Sequence, residues 1–333
     1  MAKKDVAALF EDVLPLYSML LTLRKVFSSE TEPTQQTLFA MVYSIFYLNG
    51  YRSIKNIFDN FIDPFFDRGL SGLYYTVNES KLFIEDWPAN LLKLIIASGC
   101  VDSRYPIFIA IDDSLVEKKG ESFEYREKLF DHAGKNGGNY LNGHCFVSVV
   151  LQLTLISGST THYVRVPLMH RMWIKDGDSK LKMGRDMVLE LYKVLAGKFS
   201  VCLLCDSWYP KGEILELHTI HNIPFICSAR VDTALYELPT EPPAGKRGPK
   251  PKRGKKLSKN LEEVFSFEEV PGYGYLVGHR KVVTDIFGTT KCSAFATKPK
   301  SEGGSINLFL ATDDLDLSTF DPSLIYSRRK RFA

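Results

Sequence analysis

The chain has 333 residues, 45% of them hydrophobic and 24% charged, so it is too long for one small domain and too apolar for predominant disorder. Its 42 basic and 39 acidic residues leave a net charge of +3, which excludes a protein that is strongly basic or acidic overall. The sign of that balance rests on one segment: Lys246 to Lys256 holds seven Lys/Arg and no acid, and without it 35 basic residues face 39 acidic ones.

In the first hundred residues the texture is helical. Val6, Phe10, Val13, Leu14, Tyr17 and Leu20 recur at spacings of three and four, the period of an amphipathic helix. Thr34 to Leu48 and Ser53 to Phe61 repeat the pattern on either side of Asn49-Gly50, and Pro88 to Ser98 continues it. Residues 1–103 are expected to form a helical domain that contacts DNA; a helical bundle without DNA contact is the competing reading. The apolar stretch from Leu38 to Leu48 is about half of the ~20 residues a membrane helix needs. No secretory signal opens the chain, and six dispersed cysteines, several inside apolar runs, read as reduced thiols. A cytoplasmic protein is expected.

After Arg104 strands take over. Pro106-Ile-Phe-Ile-Ala-Ile111 has no polar break, which suits a strand covered on both faces. A Gly- and Lys-rich segment, Glu117 to Asn142, follows. Gly143 to Leu155 and His162 to Leu168 read as strands, Asp178 to Leu195 as a helix and Ser200 to Cys205 as a second short apolar strand. Lys211 to His221 reads as a helix and Pro224 to Cys227 as a strand. Beyond Asp232 the chain turns Gly/Pro/Lys-rich, with strand-like pieces at Gly274 to Val277, Lys281 to Thr284 and Cys292 to Ala296, and a clear strand at Ile306 to Ala311. Alternating strands and helices predict an α/β fold with a mixed sheet flanked by helices.

Two aspartates carry the chemistry. Asp112 follows the strand ending at Ile111, and Asp206 follows the one ending at Cys205. Ligands of open α/β sheets bind outside the carboxyl ends of strands. If the two strands are neighbours, the carboxylates converge, and close carboxylates either share a proton or hold a hard cation such as Mg²⁺ or Mn²⁺. Such ions activate an attacking oxygen and stabilise a leaving one at a phosphodiester. The competing reading is that each Asp only caps the next turn. Asp113 rivals Asp112 as the first ligand, because neighbouring strand residues face opposite ways. Asp112, first after the apolar run, is preferred.

The basic run Gly245 to Lys256 has no apolar side chain to bury, and its Gly and Pro exclude a helix. It reads as a flexible loop for phosphate contacts, made by Lys246, Arg247, Lys250, Lys252 and Arg253, against a solvated linker as the alternative. Lys118, Lys119, His132 and Lys135 are candidates to line a nucleic-acid path. His132 has no second ligand at zinc spacing. Cys202 and Cys205, three apart in a strand, read as core thiols.

These residues resemble bacterial insertion-sequence transposases of the DDE superfamily. The matching stretches are Ile111-Asp-Asp-Ser-Leu-Val-Glu-Lys-Lys-Gly120, Phe130-Asp-His132, Leu141-Asn-Gly-His144, Cys205-Asp-Ser207, Ala229-Arg-Val-Asp-Thr-Ala-Leu-Tyr236, the basic block at 245–252, Leu308-Phe-Leu-Ala-Thr-Asp-Asp-Leu-Asp-Leu-Ser318 and Ile325-Tyr-Ser-Arg-Arg329. The resemblance implies a ribonuclease H-like core beginning at 104–231, a basic, β-rich insertion at 232–303, and a last core strand with the start of an incomplete helix at 304–333. It implies catalytic metal ligands at Asp112 (or Asp113) and Asp206. The family's third acid lies in Tyr-x-x-Arg-x-x-x-Glu; Tyr326 and Arg329 match, with Arg329 a further DNA contact, but Ala333 stands where the Glu belongs. The expectation is a truncated copy that binds DNA and metal weakly and is inactive in transposition, unless Glu262 or Asp313 substitutes. The implied reaction is metal-dependent DNA strand cleavage and strand transfer. The implied partners are double-stranded DNA at transposon ends and target, and a second copy of the chain on that DNA, with no membrane and a nucleoid-associated location. Two alternatives are a catalytically dead DNA-binding protein that interferes with intact transposase, and a ribonuclease H-type nuclease unrelated to transposition.

Overall fold

A computed structural model of the chain describes residues 25–48, 53–65, 68–79, 87–131, 140–240, 251–269, 274–288, 290–300 and 304–312. The chain divides into two compact units: 1–101 with 156–160, and 102–155 with 161–333. The expected helix at residues 5–20 lies outside the described residues.

The described part of the first unit is helical. Helices span Glu32–Tyr47, Leu70–Glu79 and Trp87–Ala97. Between the first two, Ile54–Ile57 opens on Ser53, whose hydroxyl accepts the Asn56 N–H, and runs through a π-helical turn, Phe58–Ile62, into Asp63–Phe65. Apolar residues at helical spacing build two small cores. Val26, Phe27 and Leu38 pack with Trp87, Leu91 and Leu94; Ala40, Ile57, Ile62 and Leu73 pack with Met41 and Phe61.

The second unit is a mixed α/β sheet with helices. Its strands are β1 (Ile107–Glu117), β2 (Glu127–Phe130), β3 (Tyr140–Ser157), β4 (Thr160–Trp173), β5 (Val201–Cys205), β6 (Phe225–Ala229), β7 (Leu235–Tyr236), β8 (Phe267–Glu269), β9 (Tyr275–Thr284), β10 (Lys291–Pro299) and β11 (Asn307–Thr312). The order is β2-β3-β1-β5-β6-β11-β10-β9-β7, with β4 beside β3 and β8 beside β9. β1, β5 and β6 run parallel; β3 is antiparallel to β1, and β11 to β6. Residues 232–303, expected as an insertion, supply β7 to β10 to this one sheet.

β5 is buried along its whole length, as its uninterrupted apolar sequence requires. One face of the centre packs Phe108, Ala110, Cys202, Leu204, Ile226 and Phe309 together. The other lies under the helix Lys180–Leu195, where Gly184 is the contact point: a Cβ there would stand 3.4 Å from Ile111 Cγ2 and 3.3 Å from Ile214 Cδ1. That close approach sets the helix start against the middle of β1.

Two strand limits differ from the sequence reading. β1 does not stop at Ile111; it continues through Asp112 and Asp113 to Glu117, paired with β3. The pieces at 274–277 and 281–284 are one strand, β9, continuous through Gly278-His279-Arg280. Gly278 sits there because a Cβ would lie 2.6 Å from Phe265 Cβ.

Gly143 makes a tighter approach. It pairs with Glu117 of β1 and Glu127 of β2, and a Cβ on it would fall 2.2 Å from the Val116 carbonyl oxygen. Backbone cannot rotate away as a side-chain tip can. Gly143→Ala is expected to destabilise the chain by about 1–3 kcal/mol or more, read as a lower urea midpoint. An unchanged midpoint would show that the strands separate there without cost.

Candidate functional site

The last parallel pair between β1 and β5 is Ile111↔Cys205. The next residue on each strand is an aspartate, so Asp112 and Asp206 emerge side by side on the face that carries Ala110 and Leu204, at neighbouring-strand spacing of about 4.8 Å. Asp112 presents surface to solvent, yet the protein around its carboxyl desolvates it. Desolvation first, then the negative charges of Asp206 and Asp113, raise its pKa to about 6 against the lowering effect of a hydrogen bond from the Asp113 N–H. That bond is 2.8 Å long. Among the described residues no basic side chain pairs with Asp112 or Asp206.

Asp206 also caps a turn. Its Oδ1 accepts the Trp208 N–H at 2.9 Å and the Tyr209 N–H at 3.3 Å. The capping thus occupies one oxygen and fixes the carboxylate's direction.

Asp113 points the other way. Its Oδ2 takes a 2.6 Å ion pair from Lys180 at the start of the 180–195 helix, and the Cys145 thiol lies 3.5 Å away. Burial alone would lower the Lys180 pKa, but the Asp113 carboxylate raises it. Lys180 Nζ also lies 5.4 Å from the Trp173 ring centre and 5.8 Å from that of Trp208, and Lys211 stands 3.9 Å from the Trp208 ring. Asp113 is thereby neutralised by its own cation, which leaves Asp112, of these two neighbours, without one among the described residues.

Tyr209 is fully buried, and among the described residues its hydroxyl has no hydrogen-bond partner. Burial, then the charges of Asp113, Asp112 and Asp206, push its pKa up. A buried unpaired hydroxyl costs about 1–3 kcal/mol. Tyr209→Phe is therefore expected to raise stability by about 1 kcal/mol, seen as a Tm higher by a few degrees. A lower Tm would mean that the hydroxyl is bonded after all.

On the same face as Asp112 a polar row continues outward. Asp112 pairs with Ser148 on β3, and Ser148 Oγ lies 2.7 Å from His170 Nδ1 on β4. Sequence reasoning missed both, along with Lys180 and Tyr209. Ser148 sits inside an apolar run, and its partner is on the returning strand.

The other expected site residues are scattered. Lys118 follows directly on β1, its N–H donating to the Asn142 carbonyl at 2.9 Å and its ammonium 5.3 Å from the Phe123 ring centre. Lys119 is exposed beside it. Of the basic run, 251–256 is not a free loop: Gly254 donates to the Glu237 carbonyl, Glu237 donates to the Lys255 carbonyl, and Tyr236 bridges to Lys256. Arg253 pairs with Asp285 at 2.7 Å and lies over the Tyr236 ring, while Lys252 is exposed. Lys246, Arg247 and Lys250 lie outside the described residues, as do His132, Lys135, Asp313, Tyr326, Arg329 and Ala333. Glu262 pairs with Lys298 on β10, away from β1 and β5. Cys202 and Cys205 are buried thiols, neither in a disulfide.

Among the described residues no three His, Cys, Asp or Glu side chains gather into a complete metal cage. Asp112 and Asp206 are two hard oxygen donors, mutually repelling and without a protein counter-ion among those residues. That donor set fits Mg²⁺ or Mn²⁺ with water completing the shell. No helix among the described residues is long and apolar enough to cross a membrane.

No protein-family model and no curated protein matches the chain. Among solved structures it is similar to the NurA nuclease from Sulfolobus solfataricus at 11% identity, over 73% of this chain and 82% of that one, with a TM-score of 0.24. That superposition is too loose to bear on fold or function.

Proposed function

We propose that the protein cleaves phosphodiester bonds in DNA with a divalent metal ion, on a ribonuclease H-like core. The observation that carries this is the register Ile111↔Cys205, which sets Asp112 and Asp206 together on one sheet face. The order β4-β3-β1-β5-β6, with β3 antiparallel and β5 and β6 parallel to β1, supports the ribonuclease H-like assignment.

Asp112 and Asp206 would hold Mg²⁺ or Mn²⁺. Bound there, the ion supplies activation of water and neutralisation of charge at the phosphate. The chain's own part is to fix the two carboxylates. The turn capped by Asp206 Oδ1 orients one, the Asp113 N–H orients the other, and Lys180 holds Asp113 off the site.

Whether a freed 3′-hydroxyl then attacks a second DNA, as in transposition, rests on the motif resemblance. Hydrolysis without transfer is the second reading; it uses the same two carboxylates and needs no second DNA. The helical residues 1–103 and the basic run are assigned to holding the DNA.

The test is conversion of supercoiled plasmid to nicked circles by the chain with Mn²⁺ or Mg²⁺, beside capture of a labelled 3′-end by target DNA. Nicking without capture selects the nuclease reading, and both together select transposition. No nicking on any DNA, with metal present, would overturn the proposal. Duplex binding should weaken steeply with salt, since Lys/Arg side chains at phosphates release counterions. Replacing Lys246, Arg247, Lys250, Lys252 and Arg253 by Ala should flatten the log–log slope by about 0.9 for each phosphate no longer neutralised. An unchanged slope would place the DNA-binding cations elsewhere.

A further inference from the structure

We infer that Ser148 and His170 form a second phosphate subsite, binding a backbone phosphate of the strand whose scissile bond lies at Asp112 and Asp206. The inference rests on the cleavage reading and names where the substrate strand runs.

The row begins with register. Asp206 and Asp112 are neighbours across the β5–β1 edge, and Ser148 is the cross-strand partner of Asp112. Directly paired strand residues share a face. His170, bonded to Ser148 at 2.7 Å, continues the row onto β4. Four polar side chains from four strands thus cross one face in a line, β5 to β4. The opposite side of β3 shows what that face could have been: Val147, Val149 and Leu151 are wholly buried. On the Asp112 side, Ser148 is half-buried and His170 exposed.

The hydrogen bond gives the imidazole a direction. In the tautomer that lets the Ser148 hydroxyl donate to Nδ1, the ring proton sits on Nε2. Among the described residues Nε2 has no partner. An exposed N–H donor suits an anion, and phosphodiester oxygens accept such bonds from neutral as well as charged donors. Two strand spacings separate the Asp112 strand from the His170 strand, about 10 Å. A stacked nucleic-acid strand advances ~3.4 Å per nucleotide, so the subsite would meet a phosphate within about three nucleotides of the cleaved one.

The geometry also limits what the pair does. His170 is two strands from Asp112, too far to touch the reacting phosphate. It should act on binding and not on the chemical step.

The test uses single-stranded and duplex oligonucleotides. In them one phosphate at a time, counted outward from the cleavage point, is replaced by an uncharged methylphosphonate. Binding is measured with Ca²⁺, and cleavage with Mn²⁺. His170→Ala is expected to weaken binding and raise KM about tenfold to a hundredfold, the loss of one good hydrogen bond to a charged group, with kcat and Mn²⁺ binding unchanged. His170→Gln, which keeps an N–H near the Nε2 position, should recover most of the affinity. One methylphosphonate position should weaken the wild-type protein and leave His170→Ala unaffected. Equal penalties in both proteins at every position would overturn the subsite, as would a fall in kcat at constant KM. The binding arm needs no cleavage. Absence of cleavage with a position-specific penalty intact would therefore refute the catalytic reading and not the subsite.

Discussion

Asp206→Asn is expected to abolish metal-dependent strand cleavage, and Asp112→Asn to do the same. A bound metal contributes several kcal/mol of charge stabilisation at the phosphate, and each ~1.4 kcal/mol is a factor of ten, so the loss should be roughly a thousandfold or more. Neither variant should unfold the protein. Asparagine at 206 keeps an oxygen for the Trp208 and Tyr209 N–H groups, and either change removes one of two repelling charges. The pH dependence of the metal-free chain follows from the same repulsion. Asp112 is held at about 6, above its ordinary value near 3.9. The folded state therefore binds the proton more tightly than the unfolded one. Stability from this group is present below pH ~4 and is lost as pH rises through about 6. Asp112→Asn should flatten that segment of the curve. Asp113→Asn is the control: it breaks the pair with Lys180 and should leave cleavage within a few-fold of wild type. Cleavage that survives both Asp112→Asn and Asp206→Asn, but fails with Asp113→Asn, would put the metal on the opposite side of β1.

Leu203→Ala should cost about 2–5 kcal/mol, the transfer term plus the cavity left in a packed site. Leu203 has no exposed surface and sits between Ile109 and Phe225 in the parallel centre of the sheet. At ~2–4 °C per kcal/mol for a domain of about this size, Tm should fall by roughly 5–20 °C. The substitution is three residues from Asp206, so Mn²⁺ binding should weaken beyond what global stability explains. A Tm within a degree of wild type would mean that the neighbouring helix collapses into the space.

The placement of the aspartate pair was legible because it depends on short-range signals. Two apolar runs without a polar break, each followed by Asp, describe central strands and their ends. The length of β1 was not legible for a related reason. Past Ile111 it is paired only with β3 and lies open on one side, so Asp112, Asp113 and Ser114 are tolerated there, and their polarity reads as a loop. Gly278-His279-Arg280 hid the continuity of β9 similarly: the glycine answers a contact with Phe265 that no local pattern announces. Lys180 lies inside the expected helix Asp178 to Leu195 and opens the observed one, but its partner Asp113 is distant in the chain. That ion pair, which bears on the choice between Asp112 and Asp113, has no local signature. Ser148 and His170 left no signal, since a serine in an apolar strand and a histidine in a mixed one are each ordinary until the strands are aligned.

The pairing Ile111↔Cys205 has a consequence for how the protein is made. The strands that create the aspartate pair are separated in the chain by β2, β3, β4 and a long helix, and β6 must wait for β11 near residue 308. Pairings of such long sequence separation close large loops before they gain anything, and they slow folding. A nascent chain emerging from the ribosome can complete the β3–β4 hairpin and pair β1 with β3 early, while β1 and β5 cannot pair with each other until past residue 205. Its two mutually repelling carboxylates come together only once β5 pairs with β1. The aspartate pair thus appears only after β5 has been made, and on the proposed reading a chain that stops before residue 206 has no means of cutting DNA.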